Sequence, residues 1–237
     1  MNEIESKTIS PALIKAYREA VYVVDIGDQE IALQVNKASS QLANLMVDWE
    51  VTTAAFLTAF NPYSQVLDPE ENAARQKRMW ADALPMCPKI FPGIGRDKED
   101  QWPHELSMLA LGIHLEDAQT LADRYEQNAF IWISNEQGFV SLKLRHPIAE
   151  PPEQELYDWI QSLSQAHMLA VLRGSNLDLK WLMTISEAER EHWLFPQYWD
   201  LNQPWPLATT DGTAISAGTE MDRMFKLTAS GLEKLYP

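Results

Sequence analysis

FLTAFNPYSQVLDPEENAARQKRMW, residues Phe56–Trp80, contains a strand, a turn and the start of a helix. The run TTAAFLTAF (52–60) is apolar almost throughout and rich in β-formers. It reads as a central strand buried on both faces. Asn61 precedes Pro62, which disfavours a helical backbone and ends the strand. Asp68-Pro69-Glu70-Glu71 then starts a helix. Asp68 fits the N-cap, Pro69 the first helical position, and Glu71 lies three residues after the cap. Pro85 should stop that helix at about Leu84.

Before this stretch, residues 11–20 read as a short helix. YVVDIGDQEIALQV (22–35) gives two β-rich runs around Gly27-Asp28, a hairpin signal. Ser39-Ser40 caps a helix through Trp49, with Leu42, Leu45, Met46 and Trp49 at helical spacing. After it, KIFPGIGRDKEDQWPHE (89–105) reads as a loop, because glycine, proline and charge dominate it. LSMLALGI is a strand and HLEDAQTLADRYEQ an amphipathic helix. AFIWIS and FVSLKL form a hairpin around NEQG.

The expected order over residues 20–145 is therefore β-β-α-β-α-β-α-β-β, an α+β fold with a mixed sheet and packed helices. RHPIAEPPEQE reads as a boundary, dividing an N-terminal domain (17–146) from a C-terminal one (147–237). Periodicity makes the second part mainly helical. Five of the nine tryptophans fall between 159 and 205, so aromatic packing is expected there.

The composition, 46% apolar and 22% charged, is that of a globular protein, but the formal net charge is −15. Residues through His146 carry 13 basic and 21 acidic side chains, the rest 6 and 13, giving −8 and −7. The acidity is thus spread along the chain rather than held in a tail. Such a field repels phosphate backbones and disfavours nucleic acid as a partner. It suits solubility or a basic protein partner. FKLTASGLEKLY (225–236) resembles the end of a winged helix, but its charge is wrong for DNA.

One cysteine, Cys87, excludes an intramolecular disulfide and fits a cytoplasmic location. MNEIESKTIS has no apolar signal core, and no apolar run approaches membrane-span length. Five scattered histidines and one cysteine form no zinc pattern, so no metal is expected and no cofactor is indicated.

Three places carry candidate chemistry. At the first, Thr58, Asn61 and Ser64 bring polar groups to a strand end, and Asn72 and Arg75 share a helix face. An anion there could use Arg75 and the helix N-terminus, although Glu70 and Glu71 oppose it. The plain alternative is a turn, with a surface pair between Glu71 and Arg75. At the second, Glu105 and Ser107 share a strand face, and Glu105 is the candidate general base. A solvated strand end is its alternative, and His104 is expected at the surface. The third is Tyr125-Glu126-Gln127-Asn128. Here Gln127 is a candidate and Asn128 the expected left-handed cap of the preceding helix.

Together, TAFNPYS, EENAARQ, HELSMLALGI and YEQNAF resemble, in order and spacing, the bacterial domain-of-unknown-function family 3293. That family's pattern is carried here by Thr58, Ala59, Asn61, Pro62 and Ser64, then Glu71, Asn72 and Arg75, then Glu105 and Ser107, and finally Gln127 and Ala129. The resemblance spans roughly residues 17–145. It implies a small bacterial cytosolic α/β domain whose polar motif residues converge, and it brings no activity. Convergence requires the strands at 53–60 and 107–113 to pair antiparallel, or a loop that folds back, since a parallel pair would set Asn61 and Glu105 at opposite ends.

Two functions are therefore expected. One is binding, or hydrolysis, of a small polar or nucleotide-like molecule by Thr58, Asn61, Ser64, Asn72, Arg75, Glu105, Ser107 and Gln127. The other is an acidic interaction module (an immunity protein, inhibitor or adaptor) using tryptophans from the 193–205 region.

Overall fold

The computed structural model describes residues 7–96, 104–134, 137–164, 167–168, 171, 178–187 and 189–190, with the backbone of 225–228 and 231–234. The chain divides into two compact units. One comprises Met1–Lys7 and Ala16–Pro147, the other Thr8–Lys15 and Ile148–Pro237.

Strands β1 (Val21–Asp25), β2 (Glu30–Leu33), β3 (Ala54–Leu57), β4 (Lys89–Arg96), β5 (Glu105–Leu111), β6 (Ala129–Ile133) and β7 (Val140–Leu144) form one sheet of the first unit. Their spatial order is β2-β1-β4-β5-β3-β6-β7. Helices α1 (Pro11–Glu19), α2 (Ser40–Asp48), α3 (Pro69–Ala83) and α4 (Leu115–Arg124) punctuate the strands. The fold is mixed α/β, with helices packed on the sheet. The sheet itself is not mixed, contrary to expectation: every pairing in it is antiparallel. The reason is topological. α3 carries the chain from β3 to β4 and α4 from β5 to β6, and each crossover skips one place in the sheet. An antiparallel strand fills each gap.

The local punctuation follows the residues. Ser39 accepts a bond from the Leu42 amide at 3.2 Å to start α2, and Asp68 accepts from Glu70 at 2.8 Å to start α3. Pro69 opens α3, and a short 3-10 turn, Leu84–Met86, ends it. Gly27, at φ 97°, makes the β1–β2 turn.

β4 corrects the expected element order. Lys89–Arg96 is no loop; it is an inner strand paired with both β1 and β5. Its loop-like composition has a packing cause. A Cβ on Gly93 would lie 2.6 Å from a ring carbon of Phe56 and 2.8 Å from the Val23 carbonyl. The strand gives up a side chain to admit the Phe56 ring, and with it the alternation that marks strands.

Phe56 also shows how the sheet bends. β4 and β5 lie between β1 and β3, so a flat sheet would hold the two outer strands about 14 Å apart. Yet the rings of Tyr22 on β1 and Phe56 on β3 meet edge to face at 5.4 Å. The sheet curls around the face they share. Its two edges come together beyond β2: the Asn36 amide donates to the Val140 carbonyl at 2.8 Å, and the Val140 amide to Lys37 at 3.0 Å.

Alternation then sorts the core. Ala54, Leu109, Leu111, Ile131 and Ile133 face inward, joined by Leu42 and Met46 of α2. Ala55, Leu57, Met108, Ala110 and Trp132 face outward against Met79 and Ala83 of α3 and Leu121 and Ala122 of α4. Covered on both faces, β3 and β5 read as nearly unbroken apolar runs.

In the second unit, Ile9 and Ile148 form a parallel bridge. α5 (Glu153–Ser162) and α6 (Leu179–Leu182) bury Leu156, Ile160, Leu179 and Leu182 in one cluster. Ser186 and Glu189 bond reciprocally as a capping box. β8 (Phe225–Thr228) and β9 (Gly231–Lys234) form an antiparallel hairpin. The tryptophans of the 193–205 region lie outside the described residues. No helix among the described residues is long and apolar enough to cross a membrane.

Candidate functional site

Beyond β3 the chain enters a tight, strained turn. Asn61 (φ 48°), Tyr63 (φ 53°) and Ser64 (φ 60°) all hold left-handed backbone, which costs about 1–2 kcal/mol per ordinary residue. Neighbouring elements impose it. Asn72 of α3, only 4% exposed, accepts from the Asn61 amide at 2.8 Å and donates to its side-chain oxygen at 2.8 Å. The Tyr63 amide donates to the Glu126 carbonyl at 2.7 Å. Arg75 donates from Nε to the Ala59 carbonyl at 3.0 Å and from Nη2 to Tyr125 at 2.8 Å, and it pairs with Glu126 at 3.4 Å. Gln76 accepts from the Ala59 amide at 2.7 Å. The first turns of α3 are thus a template for this loop.

The antiparallel β3–β5 register, Leu57 opposite Met108, sets the residues after β3 beside the start of β5. Asn61 accordingly donates from Nδ2 to Glu105 Oε1 at 2.6 Å. Glu105 and Ser107 continue the inward face of β5, and the curl encloses a cavity of about 90 Å³ at this end. Its polar wall includes Tyr17, Thr58, Asn61, Ser64, Glu105 and Gln127. Its apolar wall includes Tyr22, Phe56, Phe60, Ile131 and Leu142.

Burial raises the Glu105 carboxyl above its ordinary pKa, and the Asn61 bond offsets part of that rise. Burial also raises Tyr17 and Tyr22, and the nearby Glu105 charge adds to both. Tyr17 Oη lies 2.6 Å from Ser64 Oγ, and Asn128 Nδ2 donates to Ser64 at 3.1 Å and Tyr17 at 3.3 Å. Tyr22 Oη donates to the Tyr17 carbonyl at 2.6 Å.

Of the candidate residues, Thr58, Asn61, Ser64, Glu105, Ser107 and Gln127 line the cavity. Several already have structural partners. Thr58 donates to Leu106 at 2.9 Å, Ser107 to the Glu105 carbonyl at 3.0 Å, and Gln127 Nε2 to Phe60 at 3.0 Å. Asn72 and Arg75 do not line the cavity: they stand behind its wall, turned to the turn's own backbone. Arg75 reaches Glu126, where a surface pair with Glu71 was the alternative. Asn128 corrects the expected helix cap. Glu126, at φ 60°, is the left-handed residue after α4, which leaves the Asn128 side chain to serve Tyr17 and Ser64. His104 is exposed.

Sequence reasoning missed Tyr17, Tyr22 and the aromatic wall. Inward parity on β3 groups Phe56 with Thr58, a signal present in the sequence. Nothing local marks Tyr17, which belongs to an unremarkable helix.

Among the described residues, no group of three or more His, Cys, Asp or Glu side chains is placed to hold a metal ion.

Residues 57–130 match the family model described as "Protein of unknown function (DUF3293)". The DUF3293 segment is narrower than the span expected from the motifs. It runs from the end of β3 into β6 and carries Asn61, Asn72, Arg75, Glu105 and Gln127. It thus contains both the cavity's carboxylate and the α3 template, while Tyr17, Tyr22 and Leu142 come from outside it. No curated protein and no solved structure matches the chain.

Proposed function

We propose that the first unit binds a small molecule with an apolar body and a hydrogen-bond-donating end in the mouth of the curled sheet. The observation that carries this reading is Glu105: a half-buried carboxylate, held by Asn61 on the wall of an aromatic-lined cavity. Keeping a carboxylate in such surroundings costs stability, and sites that bind or react are where proteins accept that cost. Barrel mouths with a few convergent polar groups are common ligand sites.

Binding fits this geometry better than nucleophilic hydrolysis. Ser64 has a hydroxyl partner in Tyr17, but burial keeps that phenol protonated, so it is no base. Of nucleotide-like ligands, a phosphate is disfavoured, because Glu105 repels anions and Arg75 is turned away, and a space of about 90 Å³ is too small for a whole nucleoside.

The test is a screen of small polar fragments by ¹H–¹⁵N NMR on the full chain. Ligands should move the amides of Tyr22, Thr58, Glu105 and Leu142 together. A screen in which no compound moves this set would overturn the reading.

A further inference from the structure

Resting on that small-molecule reading, we propose that the cavity selects an organic cation: a protonated amine on a compact apolar body.

Glu105 is the one charged side chain among the described residues of the wall; no Lys, Arg or His of that set lines it. The motif's own cation, Arg75, satisfies backbone carbonyls and Glu126. Any charge on the ligand therefore meets only a negative partner. Oε1 of Glu105 takes the Asn61 amide, and Oε2 has no protein partner among the described residues. An ammonium can donate to that oxygen.

The rest of the wall suits such a ligand. An ammonium carries three donors, and Ser64 and Tyr17 add hydroxyl oxygens on the same cavity. The rings of Tyr22, Phe56 and Phe60 offer π-faces, which attract cations and reward an apolar body. At about 90 Å³ the space is smaller than the roughly 150 Å³ cavity that accepts benzene, so a five-membered ring or branched alkyl group fits better. The protein's net charge of −15 raises the local concentration of cations at any mouth it has.

The pairing carries a pH signature. A cation beside Glu105 favours the ionised carboxylate, whereas burial in the free protein disfavours it. Binding should therefore release a proton and tighten as pH rises through the carboxyl's titration. The titratable groups facing Glu105 are Tyr17 from α1 and Tyr22 from β1, and both stay neutral across that range.

Cyclopentylamine, cyclopentanol and cyclopentanecarboxylate form a matched cation, neutral and anion set. Each is titrated into the full-length protein by NMR at pH 5 and pH 8. The amine should bind at least tenfold tighter than the alcohol at pH 8, with the gap narrowing at pH 5. The carboxylate should bind weakest. Glu105→Gln should abolish the amine's advantage over the alcohol. Equal affinity of amine and alcohol, or an amine advantage that survives Glu105→Gln, overturns the cation proposal while the cavity reading stands. If no member of the set moves the cavity amides but other fragments do, the cation proposal again falls alone. If nothing in either screen moves them, both fall.

Discussion

Asn61 donates from Nδ2 to Glu105 Oε1 at 2.6 Å, across a sequence separation of 44 positions. The same side chain accepts from the Leu67 amide at 3.1 Å and from Asn72 at 2.8 Å. One amide thus fixes a strained turn and orients a carboxylate at once, and the turn's geometry and the cavity's charge are set together.

Replacing Asn61 should separate those two roles. Asn61→Ala keeps a Cβ in left-handed backbone but loses the side-chain bonds that hold it there. A loss of about 2–4 kcal/mol is expected in urea unfolding. Asn61→Gly loses the same bonds without the backbone penalty and should retain about 1 kcal/mol more. Equal losses would mean that the turn stores no strain at this position.

Arg75→Lys tests whether the guanidinium acts as a fork. Its Nε and Nη2 reach the Ala59 and Tyr125 carbonyls, two acceptors on separate segments. A lysine ammonium is a single point on a flexible stem and cannot span both. Retaining the charge should still cost about 1–2 kcal/mol, read by chemical denaturation. A variant as stable as the parent would show that charge alone suffices.

Gly93→Ala should strain the sheet by about 1–3 kcal/mol, because the new methyl would meet the Phe56 ring. Phe56→Leu alone should also destabilise. The double variant should be more stable than the two losses summed, because the smaller side chain makes room for the methyl. Simple additivity in the thermal melts would refute the direct contact.

Glu105 gives a pH dependence of known sign. Its folded-state pKa is raised by burial, so the folded state holds its proton to higher pH than the unfolded chain does. Its contribution to stability is full below the unfolded pKa and declines as pH rises through the folded one. Glu105→Gln, which can still accept from Asn61, should therefore raise the Tm at pH 8 and change it little at pH 4. A variant less stable at pH 8 than at pH 4, relative to the parent, would contradict this.

The relation between sequence and site can be read from particular residues. Ser39 and Asp68 announced their helices because capping is local: an oxygen on one side chain meets an amide two or three positions on. Glu105 and Ser107 shared a face because strand alternation is local too. β4 escaped because its composition answers to Phe56, 37 positions earlier, through a packing clash no local pattern records. Asn72 and Arg75 bond to the Asn61 turn rather than line the cavity. Their types and spacing mark a polar face but not which way it is turned. That face looks toward the backbone of the Asn61 turn because α3 packs on the outer face of the sheet while the cavity opens on the inner one.

By itself, then, the sequence determined the caps, the two central apolar strands, the antiparallel condition on Asn61 and Glu105, and the spread of negative charge. These follow from interactions reaching a few residues along the chain, or from composition. Tertiary structure alone decided the curl, the extra strand, the cavity, and the arrival of Tyr17 and Tyr22 beside Glu105. Those depend on how far the sheet bends. The bend brings rings together across strands that the chain order keeps apart.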